Sequence, residues 1–122
     1  MKVFLTADHG GFELKAKLYH ALIEHGFEVE DIGPYEYDAE DDYPVFAKQL
    51  AERLLSEGPT ENRGIIVCRS ATGVSIAVNR HPGIRGAIAW NETVAKHSRE
   101  HNDSNILCLS GDYVSQEDNL RI

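Results

Sequence analysis

The sequence has 122 residues, a length that suits one domain and leaves no room for two. Hydrophobic residues make up 42% of it, enough for an ordinary globular core without disulfide bridges or structural metals. The 20 acidic residues outnumber the 12 basic ones, and the net charge of -8 argues against non-specific binding to nucleic acid or to an anionic membrane surface.

The first half of the chain predicts two strands and a helix. A β-prone run at 3–7 precedes a helical pattern at 12–25, which Gly26 ends. Residues 27–32 alternate apolar and acidic side chains, as a half-exposed edge strand does. A loop with five carboxylates follows at 33–42.

The rest of the chain continues this order. A helix is predicted at 45–57, with Pro44 suited to its first turn, and a continuous apolar run at 64–68 is typical of a buried central strand. The remaining elements are a short helix at 74–79, a strand at 84–90, a helix at 92–100 and a strand at 106–109. This alternation predicts one three-layer α/β/α, Rossmann-like domain over residues 1–122, with a five-stranded parallel sheet.

In such a sheet, ligands bind outside the carboxyl ends of the strands. The rule selects the loop Asp8-His9-Gly10-Gly11, the turn at 68–73 and the neighbourhood of Trp90. The first loop reads either as a ligand loop or as a helix cap. The segment at 101–103 comes just before the last strand, so the rule does not place it at this edge.

The turn after the third strand carries the strongest candidate for chemistry. Cys68 ends the strand and faces the start of a helix, which is expected to lower the pKa of its thiol from the usual ~8.5. Ser70, Thr72 and the backbone N–H groups of the turn could hold a developing oxyanion. A buried structural cysteine before a polar turn explains the same residues. The turn is neither a P-loop nor a G-x-S-x-G elbow.

A second cluster surrounds two histidines. His97 and His101 stand four residues apart, a spacing that can bind zinc from one helix face, but the glutamate lies beside the second histidine and H-E-x-x-H fails. No metal site is therefore expected. His101, Asn102 and Asp103 at a helix end suit proton transfer, or simply a turn.

The chain also indicates where the protein works. Its N-terminus turns polar too early for a secretory signal, and no apolar run approaches the ~20 residues of a membrane span. Without secretion, Cys68 and Cys108 are expected to be free thiols in a reducing compartment. We expect a cytoplasmic protein with no membrane or nucleic-acid partner.

Five motifs occur in order along the chain. They are ADHGGFELK at 7–15, DYP at 42–44, Cys68 with GVSIAVN at 73–79, PGIRGA at 82–87 and SREHND at 98–103. Together they cover nearly the whole chain and resemble the ribose-5-phosphate isomerase B family, which includes the galactose-6-phosphate isomerase subunits. The resemblance implies a metal-free and cofactor-free isomerase that interconverts ribose 5-phosphate and ribulose 5-phosphate through an enediolate. It also implies a homodimer, or a tetramer, whose sites are built from two subunits.

The resemblance further implies a role for each site residue. Cys68 would move the proton between C2 and C1, His101 would open the sugar ring, and Ser70 matches a threonine that the family uses beside the base. The other implied contacts are Asp8, Tyr43 and Asn102 with sugar hydroxyls, His9 with the phosphate, and the N–H groups of Ser70, Ala71, Thr72 and Gly73 with the enediolate.

Three positions depart from the family. Arg69 and Ala71 stand where glycine is usual, and Asp112 stands where many members have an arginine that binds phosphate. The sequence also stops at Ile122, inside the expected last helix, so we expect a chain without the family's basic C-terminal tail. Three interpretations follow: the chain is truncated, it binds phosphate differently, or it binds phosphate weakly. For the 122-residue form we expect weak binding, with Arg69 taking over part of the phosphate contact.

Three alternatives stay open from the sequence. The substrate could be a hexose phosphate of the galactose or allose type. The chain could be a weakly active, sugar-phosphate-binding partner subunit, which the short tail favours and the presence of Cys68 and His101 opposes. It could also be a zinc hydrolase that uses His97 and His101.

Overall fold

The computed structural model describes residues 1–36, 38 and 43–122, and strands alternate with helices along them. The strands are β1 (Lys2–Ala7), β2 (Glu28–Asp31), β3 (Arg63–Cys68), β4 (Gly86–Ile88) and β5 (Ile106–Ser110). The helices are α1 (Phe12–Glu24), α2 (Tyr43–Glu57), α3 (Thr72–Val78), α4 (Glu92–Asn102) and α5 (Gln116–Arg121), with a short 3₁₀ turn at His9–Gly11. No helix in these ranges has both the length and the apolar composition that a bilayer crossing requires.

The sheet has the order β2-β1-β3-β5-β4, and each pair of neighbours is parallel. The predicted α/β class with a five-stranded parallel sheet is confirmed, and β2 is the edge strand that its alternating sequence predicted. From β1 the chain moves outward to β2 on one side of the sheet, and from β3 it moves outward to β4 and β5 on the other side. The loops after β1 and β3 therefore flank the point where ligands bind in open parallel sheets.

Helices cover both faces because successive strand residues point to opposite sides. Phe4 of β1 faces α2 and α3, whereas Leu5 faces α1 and α4. The first core includes Leu50, Leu54, Ile66, Val74 and Val78, and the second includes Leu14, Leu18, Val67, Ala95 and Leu109. The middle strands are thus buried on both sides, and the site lies at their ends.

Several predicted boundaries near the site were wrong. Helices α2 and α3 each begin two residues earlier than predicted, at Tyr43 and at Thr72. The fourth strand, predicted at 84–90, is shorter because the N–H of Arg85 donates to the side chain of Asn105, 2.8 Å away. Helix α4 runs two residues beyond its predicted end, since Asp103 takes the left-handed conformation, with φ 51°, and caps it. The extension places His101 in the last helical turn.

A buried lysine ties α1 to the segment that follows β2. The Lys15 side chain is 3% exposed, and its Nζ lies 2.9 Å from Oδ1 of Asp31. Lys15 also donates to the carbonyl of Pro34. Asp31 accepts a second hydrogen bond from the N–H of Gly33, at 2.9 Å. One charge cluster therefore fixes the chain as it leaves the carboxyl edge of the sheet.

We expect Lys15→Met to lower the free energy of unfolding by about 2–4 kcal/mol, because it leaves the partly buried Asp31 carboxylate without its cation. Urea denaturation measures this change. Lys48→Met is the matched control, since Lys48 pairs with Glu52 at 3.9 Å on the exposed face of α2. The control should change stability by at most about 0.5 kcal/mol. Equal stability of the two variants would contradict the structural role of Lys15.

Candidate functional site

The loop after β1 and the turn after β3 touch at the carboxyl edge of the sheet. The N–H of Asp8 donates to the carbonyl of Val67 at 3.2 Å. A Cβ built on Gly11 would lie 2.6 Å from both Cγ1 and the carbonyl oxygen of Val67. Any larger residue at this position would therefore push the two loops apart.

Asp8 is 7% exposed, and its Oδ1 accepts a hydrogen bond from the N–H of Gly10 at 2.9 Å. It caps the 3₁₀ turn, one of the two roles that the sequence allowed. The same carboxylate lies close enough to Cys68 to help raise the pKa of that thiol. The structure thus brings the capping carboxylate of Asp8 and the thiol of Cys68 into one site.

Cys68 is the last residue of β3 and is 5% exposed. Its Sγ accepts a hydrogen bond from the N–H of Ala71 at 3.1 Å. The pKa of Cys68 is raised, mainly because burial disfavours the thiolate, although the N–H groups of Ala71, Val74 and Ser70 favour it. The expected lowering of this pKa was therefore wrong in sign, since burial outweighs the N–H groups at the start of α3.

Ala71 is the strained residue of the turn. Its φ of 72° lies in the left-handed region, which costs free energy for any residue with a Cβ. This conformation turns the N–H of Ala71 toward Sγ of Cys68. Ala71 is fully buried and belongs to the core that faces α2 and α3. The structure therefore places the Ala71 N–H beside the thiol of Cys68.

The end of the turn, at Gly73, lies against Tyr43. The N–H of Thr72 donates to Oγ of Ser70 at 3.3 Å, which holds the start of α3. A Cβ on Gly73 would lie 2.8 Å from Cζ of Tyr43, so the aromatic ring lies directly against Gly73 and a larger residue there would displace it. Tyr43 therefore belongs to the site. Asp42, its neighbour in the DYP motif, lies outside the described residues.

Arg69 reaches from this turn across both neighbouring loops. A Cβ on Gly10 would collide with its Cγ, so the Arg69 stem lies against the loop that carries His9. Its Nη1 lies 3.3 Å from Oδ2 of Asp112, which follows β5. Arg69 and Asp112 are both positions that depart from the family pattern, but the sequence does not predict that they form an ion pair. Their strands pair Cys68 with Ser110, and this register is the signal that brings Arg69 and Asp112 together.

Ser110 was not identified from the sequence, although its side chain holds the turn after β3 by a hydrogen bond to Arg69. It is fully buried, its Oγ donates to the carbonyl of Arg69 at 2.5 Å, and the N–H of Tyr113 donates back to that Oγ at 2.9 Å. The Nδ2 of Asn119 donates to the carbonyl of Ser110 at 2.8 Å. Ser110 lies opposite Cys68 in the register of β3 and β5, and a polar residue at that position is the signal that could have predicted its hydrogen bonds to the turn.

His101 and Asn102 lie at the other edge of the sheet. The carbonyl of Asn102 accepts from Nε of Arg85 at 2.7 Å, and Arg85 immediately precedes β4. Along β5, the sheet extends from the level of Gly64 and Ile106 to that of Cys68 and Ser110. This interval of four residues spans roughly 13 Å. One chain therefore does not bring His101 or Asn102 to Cys68.

The two histidines of α4 lie together at that edge. The rings of His97 and His101 have centroids 5.3 Å apart. Over the described ranges, no group of three histidine, cysteine or acidic side chains is arranged to hold a metal ion.

Comparison with known proteins gives one consistent family. The family model described as Ribose/Galactose Isomerase matches residues 3–122. The probable ribose-5-phosphate isomerase B of Mycoplasma genitalium is 35% identical over 120 residues, which cover 98% of this chain and 78% of that protein. The Mycobacterium tuberculosis ribose-5-phosphate isomerase B is 40% identical over 111 residues, 91% of this chain and 67% of that protein.

Solved structures agree with these relatives. The crystal structure of ribose-5-phosphate isomerase B from Mycoplasma genitalium with bound ribulose 5-phosphate matches with a TM-score of 0.91 and 34% identity, over 98% of this chain and 78% of that one. The Clostridium thermocellum ribose-5-phosphate isomerase B matches with a TM-score of 0.91 and 41% identity, over 98% of this chain and 79% of that one.

Proposed function

The chain belongs to the ribose/galactose isomerase family, and on that premise we propose that it interconverts ribose 5-phosphate and ribulose 5-phosphate through an enediolate. The observation that carries the proposal is the position of Cys68. Cys68 is the last residue of β3, at the carboxyl edge of the sheet and next to the loop of Asp8. Its Sγ accepts a hydrogen bond from the N–H of Ala71. This is an aldose–ketose isomerase, a class that needs one positioned base and donors for a transient oxyanion.

Cys68 is the proposed base. Its thiolate takes the proton from C2 of the open-chain aldose, the electron pair moves onto the C1 carbonyl oxygen, and the enediolate forms. A proton passes from the C2 hydroxyl to the C1 oxygen, the thiol returns its proton to C1, and the carbonyl forms at C2, so no atom is gained or lost. A positioned base contributes roughly 10²–10⁴-fold to the rate, and each oxyanion donor roughly 10²–10³-fold. Ser70 and the N–H groups of the turn are the residues proposed to supply those donors.

Substrate contacts follow from the two loops of the site. Asp8 and Tyr43 are proposed to bind sugar hydroxyls, since one lies beside the thiol and the other covers the turn. His9 and Arg69 are proposed to bind the phosphate, because the Arg69 stem lies against the loop of His9. The proposed enediolate donors are the N–H groups of Ser70, Ala71, Thr72 and Gly73.

Ring opening requires a residue that the same chain does not bring to the site. His101 precedes Asn102, whose carbonyl accepts a hydrogen bond from Arg85 at the amino edge of the sheet, and that edge lies roughly 13 Å along β5 from the level of Cys68. We therefore propose a homodimer, or a tetramer built from such dimers, in which His101 of the partner subunit moves protons at the ring oxygen and the C1 hydroxyl. Asn102 of the partner subunit would bind a sugar hydroxyl in the same site.

Ketose formation from ribose 5-phosphate tests the function directly. Purified protein should convert it to ribulose 5-phosphate faster than it isomerises galactose 6-phosphate or allose 6-phosphate. A preference for a hexose phosphate would move the assignment to that branch of the family. Ketose formation from none of the three would leave a sugar-phosphate-binding subunit, and loss of activity with a chelator would favour the zinc alternative.

The proposed location is the cytoplasm. A base that works as a thiolate requires Cys68 to stay reduced, and both cysteines are free thiols. Reducing compartments maintain thiols in this state.

Arg69 is proposed to take over part of the phosphate contact, so Arg69→Gly should raise the KM for ribose 5-phosphate and the Ki for inorganic phosphate by roughly 10-fold. A charge-assisted hydrogen bond of about 1.5 kcal/mol sets this scale. Arg80→Gln is the control, because it removes an exposed cation beyond the end of α3. If Arg69→Gly binds substrate as well as or better than the parent, Arg69 is an obstruction beside the enediolate donors.

A further inference from the structure

We propose that the Asp112 carboxylate weakens the binding of dianionic phosphate at this site. The inference rests on the proposed function, because it concerns the phosphate end of the same substrate. The inference gives a function to the ion pair between Arg69 and Asp112, a contact that the family motifs do not predict.

The backbone holds Asp112 beside the base. The N–H of Gly111 donates to the carbonyl of Cys68 at 2.8 Å, and the N–H of Asp112 donates to the carbonyl of Arg69 at 3.0 Å. Ser110, just before them, donates its hydroxyl to the same Arg69 carbonyl. These backbone hydrogen bonds hold Asp112 next to the turn of Cys68 and Arg69, independently of the contacts that its side chain makes.

The side chain of Asp112 meets the cation that is proposed to hold phosphate. Its Oδ2 lies 3.3 Å from Nη1 of Arg69, and the two side chains are 42% and 61% exposed. A guanidinium has five N–H donors, so phosphate and Asp112 can bind it together. A phosphate oxygen on the same guanidinium would then place its phosphorus within about 7 Å of the Asp112 carboxylate.

Two opposite effects of Asp112 on phosphate follow. By holding Arg69 in place it favours binding, but exposed ion pairs with one contact restrain their partners only weakly. By its own charge it repels the dianion. At about 6–7 Å, with an effective dielectric constant of about 30–40, between that of a protein surface and that of water, and with screening at physiological salt, this repulsion weakens binding by roughly 5- to 20-fold. The repulsion between Asp112 and the phosphate exceeds the benefit of holding Arg69 in place, so the net effect of Asp112 is weaker phosphate binding.

Asp112→Asn tests the inference, since asparagine keeps the shape and the backbone hydrogen bond but removes the charge. The KM for ribose 5-phosphate should fall roughly 5- to 20-fold, with kcat within about 2-fold of the parent. The Kd for inorganic phosphate, measured by titrating amide chemical shifts, should fall by the same factor. Asp112→Glu should keep the weak binding of the parent. Glu52→Gln is the matched control, because it removes an exposed, ion-paired carboxylate from α2 and should leave both constants unchanged.

The phosphate titration separates this inference from the proposed function. If no ketose forms but Asp112→Asn binds phosphate more tightly, the activity is wrong and the role of Asp112 stands. If ketose forms and Asp112→Asn binds phosphate equally or less tightly, or if neither protein binds phosphate, the role of Asp112 is overturned. Tighter binding by Glu52→Gln as well would show an effect of net charge alone, which also overturns it.

Discussion

Cys68→Ser is expected to lower kcat for ribose 5-phosphate at least about 100-fold, the lower bound of what a positioned base contributes. A serine hydroxyl has a far higher pKa than a thiol and is a poor base near neutral pH. The fold should survive, because the hydroxyl can accept the N–H of Ala71 as Sγ does at 3.1 Å. Initial rates of ketose formation measure the loss, and circular dichroism checks the fold.

The pH profile tests the same residue independently. Because burial raises the pKa of Cys68, the free enzyme at neutral pH holds mostly the protonated thiol. The base is the thiolate, so kcat/KM of the parent should rise with pH into the range above ~8.5, the ordinary pKa of a thiol. Residual activity of Cys68→Ser should lack that rise.

Cys108→Ala is the matched control for both measurements. Burial raises the pKa of Cys108 to about 12, so this thiol stays protonated and cannot serve as the base. It is fully buried in the core, one strand away from Cys68. The variant should keep the activity and the pH profile of the parent. An equal loss in the two variants, or parental kcat in Cys68→Ser, would remove Cys68 from the role of base.

The sequence predicted the elements better than their ends, for a physical reason. Strand and helix patterns are local, so the runs that became β3 and α1 were legible from spacing alone. The start of β4 depends on the N–H of Arg85 finding the side chain of Asn105, a partner 20 residues away. The end of α4 depends on the backbone conformation of Asp103. Neither signal is contained in a local pattern.

The site was partly predictable. The rule for parallel sheets placed the loops of Asp8 and Cys68 at one edge and excluded His101 from it, and the structure agrees. The direction of the Cys68 pKa shift was missed because burial depends on the packing of α2 and α3 over the turn. The pair of Arg69 with Asp112 joins residues 43 apart. Only the register between β3 and β5 brings them together.

Mixing two inactive variants, Cys68→Ser and His101→Asn, is expected to restore about one quarter of the parental activity. His101→Asn alone should be inactive on the cyclic sugar, because asparagine cannot move the protons that open the ring. If each site takes Cys68 from one subunit and His101 from the other, a mixed dimer contains one intact site and one site that lacks both groups. Random pairing makes about half of the dimers mixed, so about a quarter of all sites are intact.

The recovery is large because it starts from at most about one percent of the parental rate. The two variants are co-expressed, or unfolded and refolded together, so that subunits exchange before ketose formation is measured. The control mixes Cys68→Ser with the double variant Cys68→Ser/His101→Asn, in which no pairing creates an intact site, and it should stay inactive. Since His101 and Cys68 of one chain lie at opposite edges of a rigid sheet, activity that returns only in the first mixture requires a site shared between subunits. No recovery there, with both variants folded and exchanged, would mean that His101 of the partner subunit does not open the ring at this site.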